Sequence, residues 1–296
     1  MQFYKRYHQN SLSVNDPRMK RLQQAAEANN ITVVMGYSER AGGSLYISQI
    51  TIGSEGEIIG SRRKLKPTHA ERTIFGEGNG SDVKVYDLPI GRLGALNCWE
   101  HYQPLTKYAM FSKHEQIHVA SWPSLGNTFQ KQGVYTFGIE ANEAATRTYA
   151  LESQAFVLCA TAIISESGYE LFCDTPEKEE LLSLGGGWAR IFGPDGRELA
   201  SRLEHTEEGI LYADIDLSEI HLAKAGLDPV GHYSRPDIFT LRFNENKTPW
   251  VEKVEEKKYT VSEEYTLTGG RINNEELGET EKKVEDTPQI LTSMES

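Results

Sequence analysis

Cys98 sits in the string GRLGALNCWEH, residues 91–101, where the apolar Leu93, Ala95 and Leu96 stop abruptly at Asn97-Cys98-Trp99-Glu100-His101. The residues that follow carry helical spacing in Leu105, Tyr108, Ala109 and Met110. The pattern predicts a strand, a sharp corner and a helix, with a thiol at the corner. Unpaired N–H groups and the positive dipole end of that helix would favour thiolate and lower a pKa of about 8.5 toward neutrality. A cysteine so placed can act as a nucleophile. The same position also suits a free cysteine buried as a small hydrophobe.

A second constellation begins at a strand end. Arg62-Arg63-Lys64-Leu65-Lys66-Pro67-Thr68 puts four cations in five positions, just before a proline that forbids a continued helix. His69-Ala70-Glu71-Arg72 and the glycine-rich Phe75-Gly76-Glu77-Gly78-Asn79-Gly80 come next. Taken alone, the basic run reads first as a solvated loop. Glycines beside lysines also suggest phosphate binding, but the GxxxxGK[ST] order is absent and a P-loop is rejected.

Four strings, RRKLKPTHAERTIFGEGNGSD, GRLGALNCWEHYQPLTKYAM, HVASWPS and DPVGHYSRPD, together resemble the nitrilase branch of the carbon–nitrogen hydrolase family. The resemblance covers residues 1–245. It implies a mixed α/β fold, a four-layer α-β-β-α sandwich, and a Glu-Lys-Cys triad that needs no metal and no organic cofactor. Carried over by motif, Cys98 matches the nucleophile in NCWE and Lys64, rather than Lys66, the triad lysine. Glu71 matches an additional active-site carboxylate, while Trp122 in ASWP and His101 match positions near the substrate pocket. Packing or a satisfied hydrogen bond would serve equally for the last two.

The family's general-base glutamate lies in an FPE-type motif within a β-α-β unit upstream of the region where this chain begins. Glu39 and Glu100 are carboxylates, but neither sits in that motif. The chain is therefore expected to miss its first β-α-β unit, through a start codon assigned too late or a broken gene. Three activities follow as expectations. The first is hydrolysis of an organic nitrile to a carboxylic acid and ammonia through a thioimidate and a thioester. The second is a cyanide or nitrile hydratase that releases the amide. The third is an inactive homologue kept as a binding or assembly subunit. Beyond a small-molecule nitrile, the expected partner is a second copy, in a homodimer formed through residues 103–113 or in a larger homo-oligomer.

Several elements must position these residues. A helix is expected at 17–30, with Asp16 as N-cap before Pro17, followed by a strand at 31–37 covered on both faces. Residues 45–52 and 57–64 read as a hairpin around Gly53-Ser54-Glu55-Gly56, and 83–88 as a hairpin arm leading into the Cys98 strand. Residues 188–192 and 197–203 repeat the device. After Cys98 helix and strand alternate: a helix to Lys113, a strand at 117–122, a helix at 140–153 and a strand at 156–161. Residues 226–239 are turn-rich, and Tyr233 and Phe239 suggest that they wrap ordered structure.

At 296 residues, 38% hydrophobic and 25% charged, the chain can bury a sizeable core. Residues 1–250 are assigned to the hydrolase domain. Residues 251–296, with twelve acidic side chains against six basic, read as a mobile acidic tail. The net charge of −12, without a Lys/Arg stripe, argues against a nucleic-acid partner. No apolar run approaches the roughly 18 residues that span a bilayer, and the N-terminal MQFYKRYHQNSL lacks a signal-peptide core, so a cytoplasmic location is expected. Cys98, Cys159 and Cys173 show no CxxC spacing, which suggests neither disulfides nor a zinc site.

Overall fold

Helix α1 (Gln2–Asn10) buries none of its residues, and its chain then passes Leu12 alongside Glu39. Helix α2 (Pro17–Asn29) starts where the sequence places a cap: the Asp16 carboxylate accepts the Arg18 N–H at 2.9 Å, and Asn30, at φ 48°, ends the helix. Met19 and Ala26 of α2 are buried against Ile50 and Ile52. The computed structural model describes residues 2–125, 134–179 and 182–247.

Two sheets follow. In the first, β1 (Val33–Ala41), β2 (Ser44–Ile52) and β3 (Ile58–Arg63) are antiparallel neighbours, and the short β4 (Phe75–Gly76) pairs parallel to β2. The β2–β3 turn closes as expected, with the Gly56 N–H donating to the Gly53 carbonyl at 3.0 Å and Gly56 at φ 79°. The second sheet runs β5 (Val85–Leu88), β6 (Gly91–Asn97), β7 (Ile117–Trp122), β8 (Phe156–Thr161) and β9 (Arg190–Phe192). Strands β6, β7 and β8 are parallel, so helical crossovers must join them: α3 (Pro104–Ser112) and α4 (Ile139–Ser153). Both crossover helices bury residues of the main core, among them Met110, Phe111, Tyr149 and Ala150, with Leu96, Ala120 and Val157 of the sheet.

The layers are therefore α2, the first sheet, the second sheet, and α3 with α4. Gln49 joins the two sheets, its side-chain amide donating to the Leu96 carbonyl at 3.2 Å and to Ser121 Oγ at 2.8 Å. Alternation along β2 explains the division, since Ile50 and Ile52 turn to α2 while Gln49 turns to the other sheet. This is the α-β-β-α sandwich that the resemblance implies. Smaller helices α5 (Glu166–Phe172), α6 (Pro176–Glu179) and α7 (Glu219–Gly226) complete the described elements.

Three local expectations need correction. Strand β1 is half-exposed rather than covered on both faces, because among the described residues it is the edge of its sheet, with a backbone bridge beyond β2 only at Leu12. The hairpin from β9 into residues 197–203 is shorter than expected: the Gly193 N–H donates to the Arg197 carbonyl and the Leu199 N–H to the Ile191 carbonyl, both at 2.9 Å, around the single Phe192–Glu198 bridge. Tyr233 and Phe239 are largely exposed, and the segment between them is held by its own turns, such as Tyr233 N–H to the Asp228 carbonyl at 3.0 Å. The expected acidic tail at 251–296 lies outside the described residues, as does most of the loop at 126–138. No helix among the described residues is long and apolar enough to cross a membrane.

Candidate active site

The sequence's two constellations meet at one cavity. Cys98 stands at the carboxyl end of β6, and Lys64 directly follows the end of β3 in the facing sheet. A cavity of about 240 Å³ is lined by Cys98, Lys64, Glu71 and Trp122, with Tyr7, Tyr37, Phe75 and Pro123 among its apolar walls. Four of the five residues singled out from the sequence thus share one surface.

Lys64 is 1% exposed, and its ammonium donates to Glu71 Oε2 at 2.6 Å. A buried ammonium needs a partner of this kind. Glu71 is held in turn by the Thr68 N–H at 2.5 Å, at the start of the 3₁₀ turn His69–Thr73. Lys66 points elsewhere: it is exposed and pairs with Glu77. The geometry thus separates the two lysines as the motif did.

The surroundings of the thiol differ from the expectation. A 3₁₀ turn, Cys98–Tyr102, stands between β6 and α3, so Cys98 does not sit at the end of the longer helix. Burial pushes the Cys98 thiol up to about 11, against the pull of the Lys64 ammonium, while Glu71 and Glu100 add to the rise and the Trp99 backbone N–H opposes it. Desolvation outweighs the nearby cation, which the local sequence could not reveal. Cys98 also adopts φ 50°, a left-handed conformation that costs a non-glycine residue energy and persists only where its surroundings impose it.

Glu100 and Arg62 do not line the cavity but hold the two segments that do, and sequence reasoning passed over them. The Glu100 carboxylate, 4% exposed, accepts Arg62 Nη2 at 2.6 Å and Arg62 Nη1 at 2.9 Å. It also accepts the Leu65 N–H at 2.9 Å and the Asn97 N–H at 2.7 Å. One carboxylate thus ties the chain next to Lys64 to the chain next to Cys98. The signal was present in NCWE, where an Asn followed three residues later by Glu has the spacing of a capping box.

Trp122 lines the cavity, but His101 does not. His101 is 1% exposed and lies one layer behind, stacked on Trp122 with ring centroids 5.2 Å apart. Its Nδ1 is 2.7 Å from the Cys98 carbonyl oxygen. His101, expected near the substrate pocket, stands behind the nucleophile, where the 3₁₀ turn folds its ring back under Cys98. Among the described residues no group of three or more His, Cys, Asp or Glu side chains is placed to hold a metal ion.

Residues 1–225 match the carbon-nitrogen hydrolase family model. The chain belongs to the carbon–nitrogen hydrolase family. Within it, an aliphatic nitrilase of Rhodococcus rhodochrous is 58% identical over 246 residues, covering 83% of this chain and 67% of that one. A nitrilase of Pseudomonas syringae pv. syringae (strain B728a) is 51% identical over 85% of this chain and 74% of its own. An arylacetonitrilase of Aspergillus kawachii (strain NBRC 4308) is 48% identical over 79% and 72%. These identities place it in the nitrilase branch, and the chain spans about two thirds to three quarters of the length of these relatives.

Solved structures of the family share the fold. A carbon–nitrogen hydrolase from Helicobacter pylori G27 superposes with a TM-score of 0.61 at 20% identity, covering 76% of this chain and 75% of that chain. A mutant of the amidase from Nesterenkonia sp. AN1 gives a TM-score of 0.53 at 18% identity, covering 76% and 79%.

Proposed function

We propose that this carbon–nitrogen hydrolase converts an organic nitrile to a carboxylic acid and ammonia, with Cys98 as nucleophile and Lys64 and Glu71 beside it. The observation that carries the reading is the shared cavity, which a cysteine thiol, a lysine ammonium and a carboxylate line together with aromatic side chains. A nitrile carbon is a weak electrophile, so attack calls for sulfur and for a cation where charge develops on nitrogen. The Cys98 sulfur bonds to that carbon, the triple bond becomes double, and the thiol proton ends on nitrogen, giving a thioimidate. Lys64 stabilises the developing negative charge. Water then adds and ammonia leaves, producing a thioester, and a second water releases the acid and restores the thiol. A carboxylate must take and return protons in these steps. Glu71 lines the cavity and already holds Lys64, so it suits that exchange.

Tyr37, Phe75 and Trp122 on the walls favour a nitrile with an organic substituent over bare cyanide. The test is incubation of the full chain with aliphatic, aromatic and arylacetic nitriles, measuring acid, ammonia and amide. Acid with equimolar ammonia, lost in Cys98→Ala, supports the reading. Amide as the sole product points to a hydratase, no turnover with any nitrile points to the inactive homologue, and turnover retained in Cys98→Ala sinks the reading.

The same proposal includes a homodimer formed through α3, on which Leu105 is 70% exposed, and a cytoplasmic location in which all three cysteines stay free. Leu105→Asp should yield a monomer by size-exclusion chromatography, whereas deletion of residues 251–296 should leave the dimer intact.

A further inference from the structure

Behind the active-site turn lies a chain of buried polar side chains that the proposed chemistry does not use. His101 Nδ1 is 2.7 Å from the Cys98 carbonyl oxygen, and His101 Nε2 is 3.0 Å from His118 Nε2. His118 Nδ1 is 3.0 Å from Glu115 Oε2, and the Tyr149 hydroxyl donates to Glu115 Oε1. None of the four side-chain carriers, His101, Glu115, His118 and Tyr149, is more than 2% exposed. They come from separate stretches: the 3₁₀ turn, the residues before β7, β7 itself and α4. His118 stacks on Tyr149 at 3.9 Å between ring centroids. On β6, a Cβ at Gly94 would stand 2.1 Å from Glu115 Oε2, so the carboxylate has room because that position carries no side chain.

The partners fix the protons. A carbonyl only accepts, so His101 Nδ1 carries hydrogen. One proton lies between the two Nε2 atoms and one between His118 Nδ1 and Glu115. The three bonds are therefore complete either as two neutral imidazoles with a neutral carboxyl, or as one imidazolium with a carboxylate. Both arrangements have zero net charge, the condition a water-free site tolerates best. Burial, with His118 alongside, holds His101 well below the usual histidine range, which disfavours a further proton there.

The chain ends on the one carbonyl that belongs to the nucleophile. Cys98 adopts φ 50°, and this angle sets the direction of its Cα–Cβ bond and hence of the sulfur. We infer that His101, His118, Glu115 and Tyr149 form a clamp on the Cys98 carbonyl that holds the left-handed conformation and keeps the thiol beside Lys64. His101 is a positioning residue in this clamp. The inference rests on Cys98 being the reactive thiol of the proposed function.

Alkylation by iodoacetamide tests it in the full chain, with peptide mass spectrometry reading the rate at Cys98. The charged and titratable groups facing that thiol are Lys64, Glu71 and Glu100; those around His101 are His118, Tyr149, Arg62 and Lys107. His101→Asn keeps an amide N–H near the Nδ1 position, able to donate to Cys98, but stops short of His118. His101→Gln is closer to histidine in volume and places its amide near Nε2, losing the bond to Cys98. In His101→Gln the alkylation rate at about pH 8 should fall about tenfold, the effect of one unit of thiol pKa, and His101→Asn should stay within about threefold of wild type. Equal rates in all three proteins, or equal losses in both variants, overturn the clamp.

Should His101→Gln not fold, ¹⁵N-histidine NMR of the wild type decides. A His101 ring protonated at Nδ1 and not titrating between about pH 5.5 and 8 supports the clamp, and a titrating ring overturns it. Neither measurement needs nitrile turnover. A chain that behaves as described yet leaves every nitrile intact would count against the proposed reaction and for the clamp.

Discussion

Arg62 and Glu100 meet at two points, 2.6 and 2.9 Å, between the two sheets of the sandwich, with both side chains 3% exposed. An ion pair this deep is costly to form, so its removal is informative only when one partner is left behind. Glu100→Ala strands the guanidinium and also releases the Leu65 and Asn97 N–H groups. It should lower unfolding stability by about 3–5 kcal/mol, read from the urea midpoint. A double replacement by Met at 62 and Leu at 100 should recover much of that loss. It should not recover activity, because the link between the Lys64 and Cys98 segments is gone. A double variant with full turnover would show that the link has no part in positioning.

Lys64 and Lys66 are two residues apart but stand in opposite surroundings. Lys64 is buried against Glu71 at the cavity, whereas Lys66 is 63% exposed along its side chain and pairs only with Glu77. Lys64→Ala should lower kcat for nitrile hydrolysis about 10²–10³-fold, as when a donor to developing charge is removed. Lys66→Ala should change it by less than about twofold, since exposed ion pairs contribute little. Equal losses in steady-state assays would assign the cation to the wrong residue.

What the sequence disclosed follows the range of the interaction involved. The Asp16 cap, the Gly56 turn and strands β7 and β8 are decided within a few residues of chain, and each lies where its pattern puts it. The cavity residues Cys98, Lys64, Glu71 and Trp122 were legible through motifs. The exposure of β1 depends on what pairs with its edge, and the acidity of Cys98 on how much protein covers it, neither of which is local. His118 is 17 residues from His101, and Arg62 is 38 from Glu100, so no periodicity connects either pair. Both pairs exist because the second sheet brings β6 beside β7 and faces β3.

Removing the helix cap tests the local reading. The Asp16 side chain accepts the Arg18 N–H at 2.9 Å and pairs with the Arg18 guanidinium at 2.8 Å. Asp16→Ala should cost about 1 kcal/mol of stability, while Asp16→Ser, which keeps an N-cap oxygen, should cost less than half of that. Equal losses would mean that the ion pair, and not the cap, matters.

Acid sensitivity should concentrate in another cluster. Glu198 accepts Arg147 at 2.6 Å and Arg202 Nε at 2.9 Å, and these bonds, that to Arg202 foremost, lower its carboxyl from 4.5 to about 2. A depressed carboxylate contributes stability that is complete above its unfolded pKa and disappears as pH falls through the folded value. Glu198→Gln should therefore lower the melting temperature near neutrality, with the difference from wild type closing between 4.5 and about 2. A difference that persists at the acid end would show that the side chain acts through packing.

Cys98 and Cys159 should titrate in an order set by how deeply each is buried, with a cation opposing the rise at each, Lys64 at Cys98 and Arg190 at Cys159. Burial pushes Cys98 up to about 11 and Cys159 still higher. Iodoacetamide attacks the thiolate, so alkylation of Cys98 should quicken about tenfold for each pH unit above neutrality, with Cys159 trailing far behind. Lys64→Ala removes the charge that favours thiolate and should shift the Cys98 profile to higher pH. Glu71→Gln removes a neighbouring negative charge and should shift it to lower pH, provided Lys64 keeps its place. Peptide mapping against pH reads all three proteins. Modification of Cys159 first, or a Lys64→Ala profile that moves down, would remove Cys98 from the role of nucleophile.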